Sequence, residues 1–147
     1  MIKVIRSAFA AIILLVPTLA CAATLDVSKL NKASSFVTSG GENANFKRVP
    51  QKTLWIGDRL YFITMITWEP VGSSAGRHTI KWRWYAKGSL ISEIEQKHTF
   101  KPTPFEVWST IPASALGVGA QKVELYLDGQ LYDTQEFVVQ EAKPDGA

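Results

Sequence analysis

Few residues in this chain can do acid–base, nucleophilic or metal chemistry, and their spacing argues against each. The two histidines, His78 and His98, stand twenty positions apart. Neither has further ligands at the short, repeated spacing of a metal site. The one cysteine, Cys21, lies in the N-terminal segment, and Met65 lies in an apolar run. No His, Cys and Met set of the copper-site kind therefore assembles. Nucleophilic catalysis needs a Ser or Cys with a histidine base and an orienting acid. Ser73, Ser74, Ser89 and Ser109 have turn or strand contexts, and no strained strand-to-helix elbow is expected at any of them. Glu93 and Glu95 share one strand face, which reads as a solvated edge rather than a glycosidase-type pair. No catalytic residue, metal or cofactor is expected, and the chain is read as a non-enzyme.

Binding chemistry has better candidates. Lys81, Arg83 and Tyr85 share one parity of a strand pattern, and Lys122 and Tyr126 can project the same way from another strand. Tyr and Arg are enriched at the energetic centres of interfaces. These five are the expected binding residues.

A run of short strands must position them. Ser34–Thr38 reads as a short strand, followed by the turn signal Ser39-Gly40-Gly41 and a mostly polar stretch up to Lys52. Arg59 to Trp68 is rich in β-branched and aromatic residues with apolar side chains at both parities. Such a strand is covered on both faces, or covered on its outer face by a partner. Glu69 to Arg77, with Pro70, Gly72, Ser73, Ser74 and Gly76, reads as a loop. In His78–Ala86, Ile80, Trp82 and Trp84 point one way while Lys81, Arg83 and Tyr85 point the other. Trp55, Trp82 and Trp84 are assigned to the core, as is Met65, and both histidines to solvated strand ends. Leu90–His98 is more polar and reads as an edge. Pro102 and Pro104 bracket a crossing. Phe105–Ile111 alternates again, and Ala113–Leu116 suits one helical turn closed by Gly117. Val123, Leu125 and Leu127 alternate with Lys122, Glu124 and Tyr126 up to the turn Asp128-Gly129, and a last strand ends in Phe137-Val138-Val139.

The N-terminus reads as an export signal over residues 1–22. Lys3 and Arg6 precede the apolar run Ala8–Val16, Pro17 breaks it, and small residues follow. That run is shorter than the roughly 20 residues of a membrane span. Two processing routes stand open: ordinary cleavage before Ala23, or lipidation of Cys21, although Thr18 and Leu19 depart from the usual lipoprotein pattern. The expected location is the periplasm, or the outer membrane if Cys21 is acylated. Removing residues 1–22 takes away Lys3 and Arg6, so the formal charge falls from +3 to +1 over 125 residues. Nucleic acid is not an expected partner at that charge. At 46% hydrophobic and 20% charged residues, the chain is too apolar and mixed to be collagenous, coiled-coil or disordered.

The run Lys81-Trp82-Arg83-Trp84-Tyr85-Ala86-Lys87-Gly88, then Val107-Trp108-Ser109, Val123-Glu124-Leu125, Asp128-Gly129 and Phe137-Val138-Val139 resembles small immunoglobulin-like domains of bacterial envelope proteins. The likeness covers roughly residues 34–139. It implies an all-β, immunoglobulin-like (fibronectin-III-like) β-sandwich of about seven strands, with residues 23–33 as a flexible lead-in and 140–147 as a tail. Such domains mostly bind or assemble, so the expected partner is another envelope protein. The alternatives are a lipid-anchored accessory of a secretion or pilus machine and a carbohydrate- or peptidoglycan-binding module. The last of these requires exposed tryptophan.

Overall fold

The structure is a computed structural model that describes residues 25–40, 49–70, 73–101 and 104–141. The export signal, Cys21, Pro102 and most of the polar stretch and tail lie outside the described residues. Alternation and turn chemistry convert the described residues into eight strands: β1 (Leu30–Gly40), β2 (Thr53–Trp55), β3 (Arg59–Trp68), β4 (Gly76–Ala86), β5 (Ser89–Phe100), β6 (Phe105–Pro112), β7 (Gly119–Leu127) and β8 (Gln130–Gln140). One helical turn, α1 (Ala113–Leu116), joins β6 to β7.

Two sheets form, a three-stranded one in the order β1-β3-β6 and a five-stranded one in the order β2-β8-β7-β4-β5. The pairs are antiparallel except β2, which runs parallel to β8 from Val138 to Gln140. The chain is an all-β sandwich of the immunoglobulin-like class. The eighth strand beyond the expected seven is β2, whose three residues are too few to show a period.

The inner faces hold the apolar parity of each strand. Ile80, Trp82 and Trp84 of β4 and Val123, Leu125 and Leu127 of β7 pack in one core with Leu60, Phe62, Ile66 and Trp68 of β3 and Val107 and Ile111 of β6. A Trp68–Phe100 stack with centroids 5.7 Å apart closes one end. As its composition foretold, β3 is buried on both parities. Tyr61 and Ile63 face away from the core and are buried nonetheless, while Met65 beside them is half-buried. Trp55 is also half-buried, because its neighbour Leu54 takes the inward position.

Two hairpins set the register of the candidate face. Lys87 and Gly88 have φ of 50° and 83°, and Asp128 and Gly129 have φ of 45° and 82°. Positive φ at both central residues is the turn whose twist matches paired strands. At the end of α1, Gly117 (φ 75°) donates to the Ala113 carbonyl at 3.1 Å. Gln121 Nε2 donates to the Gly117 carbonyl at 2.7 Å, which pins that turn to β7. The chain also packs earlier than Ser34. Leu25 is 3% exposed, and β1 begins at Leu30.

Candidate functional site

Register brings all five expected binding residues onto the outer face of the five-stranded sheet. Arg83 of β4 sits between Glu93 of β5 and Glu124 of β7, Lys81 between Glu95 and Tyr126, and Tyr85 between Leu90 and Lys122. Directly opposed residues on paired strands share a face, so three strands contribute one continuous array.

The array is internally paired. Arg83 Nε donates to Glu93 Oε2 at 2.7 Å. Lys81 Nζ lies 3.2 Å from Glu93 Oε1 and 3.0 Å from Glu95 Oε2. Lys122 Nζ donates to Glu124 Oε1 at 2.6 Å. The hydroxyls of Tyr85 and Tyr126 both donate to Glu124 Oε2, at 3.0 and 2.8 Å. Cations also cover the rings: Lys122 Nζ lies 4.4 Å from the Tyr85 centroid, and Arg83 Cζ lies 5.0 Å from that of Tyr126. Lys81, Arg83 and Lys122 thus balance Glu93, Glu95 and Glu124.

Glu124 organises one half of this face and is only 8% exposed. Burial pushes its carboxyl up, but Lys122 and the two tyrosine hydroxyls outweigh burial and hold it below the usual carboxylate range. Burial, with the Glu124 carboxylate beside it, raises the Tyr85 phenol. The sequence reading left Glu124 out. Its signal was its place between Lys122 and Tyr126, two residues from each on one face.

A second polar cluster was not anticipated. His78, expected to be solvated, is 5% exposed because it faces inward against Phe100, with ring centroids 4.8 Å apart. Its Nδ1 lies 2.8 Å from Asp128 Oδ2, and its Nε2 lies 2.9 Å from the Ser74 carbonyl. Asp128 also accepts from the backbone N–H of Thr79 at 2.7 Å and of Leu25 at 3.0 Å. Ser74 stands in Gly72-Ser73-Ser74-Ala75-Gly76, which has the Gly-x-Ser-x-Gly spacing of a nucleophile motif, although no such elbow was expected at Ser74. The geometry gives it a different use. Both imidazole nitrogens are engaged by oxygens other than the Ser74 hydroxyl, Nδ1 by the Asp128 carboxylate and Nε2 by the Ser74 carbonyl. The cluster fastens the N-terminal lead-in and the β7–β8 turn to the start of β4.

The third cluster spans the two sheets. Asp133 of β8 is 6% exposed and accepts from Lys32 Nζ and Ser35 Oγ of β1 and from Gln135 Nε2. A groove of about 950 Å³ opens nearby, lined by residues that include Val37, Gln51, Lys87, Gln121, Lys122 and Phe137. Trp108 of β6 is 43% exposed and tilts against Tyr61 at 6.1 Å. Among the described residues, no three His, Cys, Asp or Glu side chains cluster as a metal site requires. No helix among them is long and apolar enough to cross a membrane.

No protein-family model and no curated sequence matches the chain. Solved structures do resemble it. An immunoglobulin-like protein from Pseudomonas aeruginosa is similar over 78% of this chain and 99% of its own, with 10% identity and a TM-score of 0.46. A β-glucosidase from Listeria innocua is similar over 75% of this chain, with 15% identity and a TM-score of 0.45. An alkylpurine DNA glycosylase from Pseudomonas fluorescens is similar over 78%, with 10% identity and a TM-score of 0.46. This chain spans only 15% and 32% of those two enzymes. None of these likenesses carries activity, ligand or partner across to it.

Proposed function

We propose that the chain is a non-enzymatic, exported protein of the bacterial envelope that binds another envelope protein through the outer face of its five-stranded sheet. The observation that carries this reading is the convergence of Lys81, Arg83, Tyr85, Lys122 and Tyr126 in one hydrogen-bonded array. A surface already ordered in this way loses little side-chain freedom when a partner docks. Its Tyr and Arg supply large contact area with directional donors. Export rests on the Met1–Ala22 pattern. A mature chain starting at Ala23 places the protein in the periplasm, and an acylated Cys21 places it on the outer membrane. Intact mass reads the difference.

The test is cross-linking in living cells, followed by purification and mass spectrometry of captured proteins. One dominant envelope partner is expected, and the variant Lys81→Glu, Arg83→Glu, Tyr85→Ala is expected to lose it. Tyr85→Ala also takes a donor from Glu124, so the milder Lys81→Gln, Arg83→Gln variant is run beside it with circular dichroism as the folding check. Undiminished capture by both variants overturns the reading.

The exposure of Trp108 beside Tyr61 favours a second reading, a glycan-binding module, since sugar rings stack on exposed aromatic faces. Co-sedimentation with peptidoglycan that is lost in Trp108→Ala supports it, and absence of co-sedimentation removes it.

A further inference from the structure

The five-stranded sheet ends at β5, which pairs with β4 on one side and, among the described residues, with no strand on the other. This edge is 12 residues long. A bulge at Ile91, where the register shifts between Trp84 and Tyr85, disrupts its first residues. From Ser92 to Phe100 the pairing with β4 is regular and contains no proline. A long regular edge presents a row of unpaired backbone groups and is a template for another strand.

The side chains along that edge select the strand. Glu93 and Glu95 point to the outer face, where Lys81 holds both, and Lys97 shares their parity. Lys81 reaches Oε2 of Glu95, while Oε1 of Glu95 and the Lys97 ammonium have no ion-pair partner among the described residues. We propose that β5 forms a two-fold antiparallel dimer with β5 of a second copy of this chain, centred on Gln96. A two-fold axis perpendicular to the sheet pairs only residues of like parity, which leaves few registers. Centring on Glu95 gives two Glu93–Lys97 pairs but sets Glu95 against itself between them, centring on Ile94 sets Glu93 against Glu95 twice, and centring on Lys97 sets Lys97 against itself. Centring on Gln96 sets Glu95 opposite Lys97 twice, Glu93 opposite Thr99 and Ile94 opposite His98. Like charges directly opposed destabilise a strand pair and opposite charges stabilise it, so the Gln96 register prevails. The product is a continuous ten-stranded sheet whose two inner faces lie on the same side. This dimer shares Glu95 with the docking face proposed above but does not need its partner, and it is measured on the purified protein alone.

A single strand pair falls in the small-interface class, below about 1,200 Å². The measurement is therefore sedimentation and light scattering of the purified exported protein from about 1 µM to about 1 mM, a range that brackets weak association. A concentration-dependent dimer is expected. Lys97→Glu and Glu95→Lys each weaken it about tenfold or more, because both cross-strand pairs become repulsive. Lys97→Glu is the cleaner change, since Glu95 also serves Lys81 within its own chain. Mixing the two single variants restores association as a heterodimer, because the lysine introduced in one then faces the glutamate introduced in the other, whereas loss of fold restores nothing. A monomer at every concentration, a dimer indifferent to both reversals, or single variants that stay apart when mixed overturns the proposal.

Discussion

A mostly buried carboxylate costs free energy unless it is hydrogen-bonded and paired, and Glu124 meets that demand with Lys122, Tyr85 and Tyr126. Glu124→Gln keeps the shape but replaces one acceptor oxygen with an amide that faces donors. Its expected cost is about 1–3 kcal/mol, the range for leaving a buried polar group unsatisfied. Urea unfolding followed by fluorescence reads it. Tyr85→Phe and Tyr126→Phe each remove one donor and leave the other two in place, so each is expected to cost about 1 kcal/mol. If Glu124→Gln proved as stable as the parent, the array would be a set of loose surface contacts. Its value as a preorganised docking face would go with it.

The strands were largely legible one at a time, and the contacts between them were not. Ile80, Trp82 and Trp84 declared their inward face by period alone, and Asp128-Gly129 declared its turn by the positive φ that only a few residues tolerate. The convergence of Lys81, Arg83 and Tyr85 with Lys122 and Tyr126 followed from parity plus adjacency of β4 and β7. The burial of His78 was hidden because Asp128 lies fifty residues away in sequence and no local pattern links them. Strand β2 was hidden because three residues show no period. Asp128 joins the two kinds of information, being both a turn residue and the acceptor that ties three elements together. Its variants separate those roles. Asp128→Gly keeps the positive-φ turn and loses the bonds to Leu25, Thr79 and His78. Asp128→Asn keeps an acceptor and tolerates the same φ. The order of stability expected in thermal melts is parent, then Asn, then Gly. The Gly variant is about 1–3 kcal/mol below the parent and shows faster amide exchange at Leu25 and Thr79.

Across the whole molecule the buried carboxylates fasten separate parts. Glu124 links β7 to β4, Asp128 links the N-terminal lead-in to the β7–β8 hairpin and β4, and Asp133 links the two sheets through Lys32 and Ser35. Burial alone would raise all three carboxyls, but their donors hold each below its ordinary value. Those donors are Lys122 and the tyrosines for Glu124, Thr79, His78 and Leu25 for Asp128, and Lys32, Ser35 and Gln135 for Asp133. A carboxyl with a folded pKa below its unfolded one binds a proton more readily in the unfolded chain. Its stabilisation is therefore complete above the unfolded value and is lost as pH falls through the folded one. The unfolded values are 4.5 for Glu and 3.8 for Asp. Melting temperature is thus expected to hold level from pH 7 down to about 5 and then drop steeply. Asp133→Asn removes one titrating group and leaves Lys32 without its carboxylate. It should melt below the parent at pH 7, fall less steeply with acid, and converge with the parent once pH has fallen through the lowered folded pKa of Asp133. Parallel curves for the two proteins would mean that Asp133 titrates alike in both states, and that the tie between the sheets contributes nothing to acid stability.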